Sequence, residues 1–160
     1  MNSKSIESPI VLSKKRQVSI AGDISRAGIG LFTGLNASIT FHPAPENHGI
    51  VFRRVDLPCA PKIRAHVDYV HSTPRCTILN SEGASLQTVE HVLAAVYACG
   101  IDNILIDISG PEVPIFDGSS KVFIEMIHQA GLHHNAGYSI VYSIEKPLYF
   151  SDGDIHMVAL

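Results

Sequence analysis

LQTVEHVLAAVYACGIDNILIDISG, residues 86–110, decides how the rest of the chain is read. Leu86, Val89, Leu93, Val96 and Tyr97 recur at spacings of three and four, the period of a helix with one apolar face. Ser85 stands where an N-cap is needed and Gly100 where a helix ends, so the pattern predicts a helix over 86–100. Ile104, Ile106 and Ile108 then fall on every second position, which predicts a strand over 103–109 with one buried face.

Downstream, the turn GPEVPIFDGSS leads into a second helix at about 120–130, with Val122, Phe123, Met126, Ile127 and Ala130 on one face. Ser119 is its expected cap and Gly131 its stop. Upstream, NASITFH (36–42) alternates Ala37, Ile39 and Phe41 with polar residues, the pattern of a half-buried strand. IVFRRVD (50–56) follows across the breaker HPAPENHG, and the two are expected to form an antiparallel hairpin. RQVSIAGDI, from Arg16, reads as a strand, and the three glycines of RAGIGLFTG (26–34) suggest a turn or a close backbone approach. KIRAHVDYV and RCTILN are shorter strand-like runs among prolines. Strands before and after two helices, without regular strand–helix alternation, predict an α+β fold: a sheet packed with two helices.

LHHNAG, after Gly131, reads as a linker. YSIVYSIEKPLYF (138–150) and IHMVAL (155–160) then read as two strands around the turn SDGD. A hydrophobic strand left without a partner is an aggregation hazard. The expectation is therefore a leader over 1–15, an N-terminal α+β domain over 16–134, and the start of a truncated second domain over 135–160.

The 160 residues amount to one ordinary domain, or one domain and the first strands of another. With 46% apolar and 17% charged residues the chain can build a core and is not of the disordered class. A net charge of -3, without charge runs, gives no electrostatic reason to expect nucleic acid. Cys59, Cys76 and Cys99 have no paired spacing and read as reduced thiols. No signal-type apolar segment and no apolar run of spanning length is seen, so the expected location is cytoplasmic, with no spanning membrane segment.

No HExxH, GxSxG, P-loop or GxGxxG motif is present. His133–His134 reads as a solvated loop, and His42, His48, His66 and His71 as hydrogen-bonded or exposed side chains. Asp117–Gly118 and Asp102–Asn103 read as turns or helix starts. Glu90–His91 is the sharper candidate. Adjacent helical residues point about 100° apart, so the two cannot share one metal as residues four apart would. Both fall off the apolar stripe, in the half of the helix whose field favours an ionised carboxylate and a neutral imidazole. On the residues alone the pair reads first as a polar helix face and second as a catalytic pair.

Residues 88–123, TVEHVLAAVYACGIDNILIDISGPEVPIFDGSSKVF, resemble the UDP-3-O-acyl-N-acetylglucosamine deacetylases of Gram-negative bacteria. The resemblance lies in the TVEH helix start, the GIDN turn, the SGPEVP segment and the DGS before the second helix. GIGLFTG (28–34), HPAPENHGIVFRRVD (42–56) and STPRCTIL (72–79) match the same family in the same order. The resemblance implies the first of two similar α+β domains, each a sheet with two helices, and a site between them. It implies that Glu90 is the catalytic general base and that His91 ligates Zn2+. The remaining zinc ligands would come from a second domain carrying an HKxxDxxGD-type motif, which residues 1–160 do not contain.

The implied reaction is zinc-dependent hydrolysis of the 2-acetamido group of UDP-3-O-acyl-N-acetylglucosamine, giving UDP-3-O-acyl-glucosamine and acetate in lipid A biosynthesis. The implied partners are that substrate and the second domain, or its separately encoded equivalent. By itself this chain is expected to be inactive, and the alternative is a non-catalytic remnant or interaction module of the family. Phe32 departs from the family pattern, in which histidine is common; a phenyl ring neither hydrogen-bonds nor carries charge.

Overall fold

The computed structural model describes residues 10–81 and 83–160, the side chains of residues 10–12 excepted. The leader read over residues 1–15 lies largely outside them. From Ile10 the chain is already strand β1 (Ile10–Ile20). The elements then run β2 (Ile24–Ile29), β3 (Asn36–Pro43), β4 (Ile50–Arg54), β5 (Lys62–Arg64), a 3-10 turn at Val67–Tyr69 and β6 (Val70–Ser72). They continue with β7 (Ile78–Ser81), β8 (Ala84–Gln87), helix α1 (Glu90–Ala98), β9 (Ile104–Ile108), helix α2 (Lys121–Ala130), β10 (Leu132–Ser143), β11 (Leu148–Asp152) and β12 (Ile155–Ala159). No helix among the described residues is long and apolar enough to cross a membrane.

Two compact units result among the described residues, Gln17–Gly137 on one hand and residues 10–16 with 138–160 on the other. The larger is an α+β fold built on a mixed five-stranded sheet in the order β2-β3-β9-β4-β5. One face of that sheet buries Ile39 and Phe41 from β3, Phe52 from β4, Ile63 from β5 and all three isoleucines of β9. Against them lie Val92, Ala95 and Val96 of α1 and Phe123, Met126 and Ile127 of α2. A single-faced sheet and two amphipathic helices must share one core, and here they do.

The expected hairpin of β3 with β4 is not formed. β9 lies between them, antiparallel to β3 and parallel to β4. Its three buried isoleucines make β9 a central strand, and the long connection from β4 to β9 is what a parallel pair requires. A second, three-stranded antiparallel sheet of β6, β7 and β8 occupies that connection.

The helix predicted over 86–100 is shorter. Residues 84–87 are strand β8, so Leu86 is buried on a sheet, and Ser85 pairs with Asn80 instead of capping. α1 begins at Glu90 after Val89, with no side-chain cap. The C-terminus ends as expected: Gly100 takes a φ of 67° and the Ile101 N–H reaches back to the Val96 carbonyl. Tyr97, counted on the apolar face, is 87% exposed, because Val92, Ala95 and Val96 define the buried side. α2 starts at Lys121, whose N–H is capped by the Ser119 hydroxyl at 3.1 Å, and stops at Gly131.

Asn103 ties the larger unit together from beneath the sheet ends. Its carbonyl oxygen accepts the Gly49 N–H at 2.9 Å, and its amide donates to Gln17 at 2.9 Å and to Asn135 at 3.2 Å. Next to it, the Asp102 carboxylate accepts the Val18 N–H at 2.9 Å. Asn135 belongs to the segment read as a linker, which is instead the first half of β10. In the smaller unit, β11 and β12 form an antiparallel hairpin around a two-residue turn that Gly153 opens with a φ of 55°. Every side chain on its two strands is exposed.

Candidate functional site

Glu90 and His91 are the first two residues of α1, and both are half-buried. Their backbone is fixed from two sides. On one side, the Thr88 N–H donates to the Thr77 carbonyl at 3.1 Å, and the Thr77 N–H donates to Glu90 Oε2 at 3.1 Å. The 75–77 loop thus grips the helix start twice, and it turns through Arg75 at a φ of 62°. One carboxylate oxygen of Glu90 is thereby anchored, while the other has no hydrogen bond among the described residues. The His91 ring likewise has neither a hydrogen bond nor an ion pair among them, so both its nitrogens are open to a ligand.

On the other side stands Glu112, whose role sequence reasoning missed. Only 1% exposed, it accepts the Phe32 N–H, the Thr33 N–H at 2.8 Å, the Thr33 hydroxyl at 2.7 Å and the Thr88 hydroxyl at 2.9 Å. Burial pushes its pKa up, but the donors from Phe32, Thr33 and Thr88 outweigh that and hold it down at about 2. One ionised carboxylate therefore pins the 30–33 loop to the residue two before Glu90. Thr88, at a φ of 61°, is held in a backbone region costly for a β-branched residue.

Gly30 is needed for this clamp: a Cβ there would collide with the Glu112 carboxylate and the Thr33 hydroxyl. At Gly28 a Cβ would sit 2.9 Å from both Pro114 and Phe116. The loop so held presents Leu31 and Phe32, 58% and 50% exposed. The available signal was a lone acid between Pro111 and Pro114 in an otherwise apolar run, following a glycine-rich loop by some distance.

The other histidines lie elsewhere. His42 sits between two carboxylates, Asp23 and Asp107, each at 3.0 Å, and Asp107 also takes a two-pronged grip from Arg53 at 2.6 Å. His66 contacts Asp68 at 3.3 Å. His133 and His134 are adjacent and exposed on β10, so they face opposite sides of a strand. Among the described residues no three His, Cys, Asp or Glu side chains come together as a metal site.

Residues 17–160 match the family described as LpxC: UDP-3-O-acyl N-acetylglycosamine deacetylase. The chain belongs to this deacetylase family. It is 42% identical over 137 residues to the bifunctional enzyme LpxC/FabZ of Bacteroides thetaiotaomicron, covering 86% of this chain and 30% of that one. It is 42% identical over 138 residues to the UDP-3-O-acyl-N-acetylglucosamine deacetylase of Geobacter sp. strain M21, covering 86% of this chain and 45% of the relative. With the deacetylase of Idiomarina loihiensis the identity is 39% over 140 residues, 87% of this chain and 46% of the other. The chain thus spans less than half the length of these curated deacetylase-family relatives.

The fit to a zinc ion is partial. In this family member, α1 offers one unengaged imidazole beside one half-anchored carboxylate, and the described residues bring no third group to them. A four-coordinate zinc site needs three or four protein ligands. These residues alone do not close one.

Proposed function

We propose that this chain is the first half of a zinc-dependent amidohydrolase acting on the 2-acetamido group of UDP-3-O-acyl-N-acetylglucosamine. The products are acetate and UDP-3-O-acyl-glucosamine, a step of lipid A biosynthesis in the cytoplasm of Gram-negative bacteria. On this reading residues from about 135 begin a second domain, and that domain or its separately encoded equivalent supplies the missing ligands. The reading rests on family membership and on one observation: Glu90 and His91 open α1 side by side, one half-anchored and the other unengaged.

Zinc, when bound, supplies Lewis acidity to the amide carbonyl and to water. His91 is the ligand this chain would offer. Glu90 is the general base: its free oxygen takes the proton of the attacking water, while the Thr77 N–H fixes the direction of the other oxygen. The Glu112 clamp and the Thr77 strap hold the helix start in place, so that Glu90 need not reorganise when the proton moves.

The test uses a protein in which a second domain is supplied. Glu90→Gln should retain zinc and lose about 10²–10⁴-fold in turnover, the range for a general base. His91→Ala should lose zinc itself. Metal analysis and acetate release on both variants decide the matter, and unchanged zinc content in His91→Ala sinks the assignment. Residues 1–160 by themselves should release no acetate; measurable release would overturn the incomplete-site reading.

A further inference from the structure

The outer face of the five-stranded sheet carries a feature that the hydrolytic reading does not use. Lys62 and Arg64 lie two apart on β5, so both project from the same face, while Ile63 between them is buried against the helices. The register sets Arg64 opposite Val51 and Lys62 opposite Arg53. Beside them is a pocket of about 290 Å³ lined by His48, Val51, Lys62, Arg64, Tyr69 and Ser81. Lys62 and Arg64 have no ion-pair partner among the described residues. Among the described residues, the carboxylates nearby are already committed: Asp107 to Arg53 and His42, and Asp68 to His66. In a chain of net charge -3, two cations without an ion-pair partner among the described residues thus meet at one polar hollow.

We propose that this pocket binds a small phosphate-type oxyanion, free or as a monoester. Two cations match the charge of a phosphate dianion, whereas a single carboxylate would leave one of them uncompensated. The guanidinium fork and the ammonium supply N–H donors, and Tyr69 and Ser81 bring two hydroxyls, which suits the three terminal oxygens of a phosphate. Val51, 4% exposed, gives the hollow an apolar floor. The volume lies at the lower end of the roughly 300–1,000 Å³ of small-molecule pockets, enough for a monoester and little more. Charges on an edge strand such as β5 also guard it against pairing, but that role calls for neither a pocket nor hydroxyls beside it.

This inference does not rest on the proposed hydrolysis, and it needs no second domain. The intact chain is titrated with inorganic phosphate at constant ionic strength and followed by calorimetry. A saturable site is expected, weakened about tenfold or more in the double variant Lys62→Gln/Arg64→Gln by loss of two charge-assisted contacts. Both side chains are exposed, so the substitutions leave the core intact, which a thermal melt verifies. A control that removes equal charge elsewhere, Arg26→Gln/Lys121→Gln, should bind as the parent does. Absence of saturation by millimolar phosphate, or equal weakening in both double variants, overturns the site. A phosphate monoester should bind as phosphate does, and UDP should gain nothing over it; binding that depends on the uridine would overturn the assignment to a small oxyanion.

Discussion

Replacing Glu112 by glutamine removes a negative charge from a place where four donors converge. The amide can accept at one end only, so at least one of the Phe32, Thr33 and Thr88 donors is left facing an NH2 group. The expected loss is about 1–3 kcal/mol in urea unfolding. The parent protein also carries a pH signature. The folded pKa of about 2 lies below the ordinary 4.5, so the unfolded chain binds the proton more readily. The contribution is complete above about pH 4.5 and disappears as pH falls toward 2, amounting to about 3 kcal/mol. Unfolding measured across that window should show a steeper acid decline in the parent than in Glu112→Gln. Parallel curves would show that the carboxylate is not held as described.

At the same scale, the residues alone set Glu90–His91 apart as a pair off the apolar stripe, and the resemblance to a family is what turned it from a polar helix face into a candidate base and ligand. Glu112 stands in the SGPEVP segment, but its partners are not legible there, because the 30–33 loop, Thr88 and Glu112 meet only in the folded chain. Pairing across 79 residues, as between Thr33 and Glu112, leaves no periodic trace.

At the scale of elements, periodicity carried the reading where one face alone is buried. Ala37, Ile39 and Phe41 on β3 and the isoleucines of β9 came out buried as the alternation required. It did not carry strand order, because the pattern of β3 and β4 is the same whether they pair with each other or each with β9. It also merged β8 with α1: Leu86 and Val89 satisfy a helical spacing, yet Thr88 at a φ of 61° breaks the chain between them. Asn103 is the element-scale fastening, joining β1, β9, β10 and the loop before β4. Asn103→Ala takes the Gly49 N–H's side-chain acceptor away and removes one hydrogen bond each from Gln17 and Asn135. A loss of about 2–3 kcal/mol is expected in the same denaturation assay; a change within about 0.5 kcal/mol, the range of unremarkable surface substitutions, would show these contacts to be replaceable.

At the scale of the whole molecule, the two units differ in how much apolar surface they leave bare. Tyr138, Tyr142, Leu148, Tyr149, Phe150, Ile155, Met157 and Val158 are each more than half exposed, all in the smaller unit. A surface of that kind marks an interaction site or an aggregation liability. Ending the chain after Gly137 should therefore lower the fluorescence of a bound hydrophobic dye. It should leave the main unfolding transition in place, because the core of Gln17–Gly137 draws on none of those residues. Unchanged dye binding would locate the exposed apolar surface elsewhere, with the Ile29–Leu35 loop the first place to look.

The clamp at Glu112 has a consequence for how the protein is made. Phe32 and Thr33 leave the ribosome some eighty residues ahead of the acid that orders them. Until the segment beyond Pro111 emerges, the glycine loop lacks its carboxylate anchor and the Thr88 hydroxyl its acceptor. The start of α1 is then fixed on both sides only after residue 112 has emerged, although it lies in the middle of the sequence. A ribosome stalled before residue 112 has emerged should display a glycine loop open to protease, and one stalled well beyond it a loop that is protected.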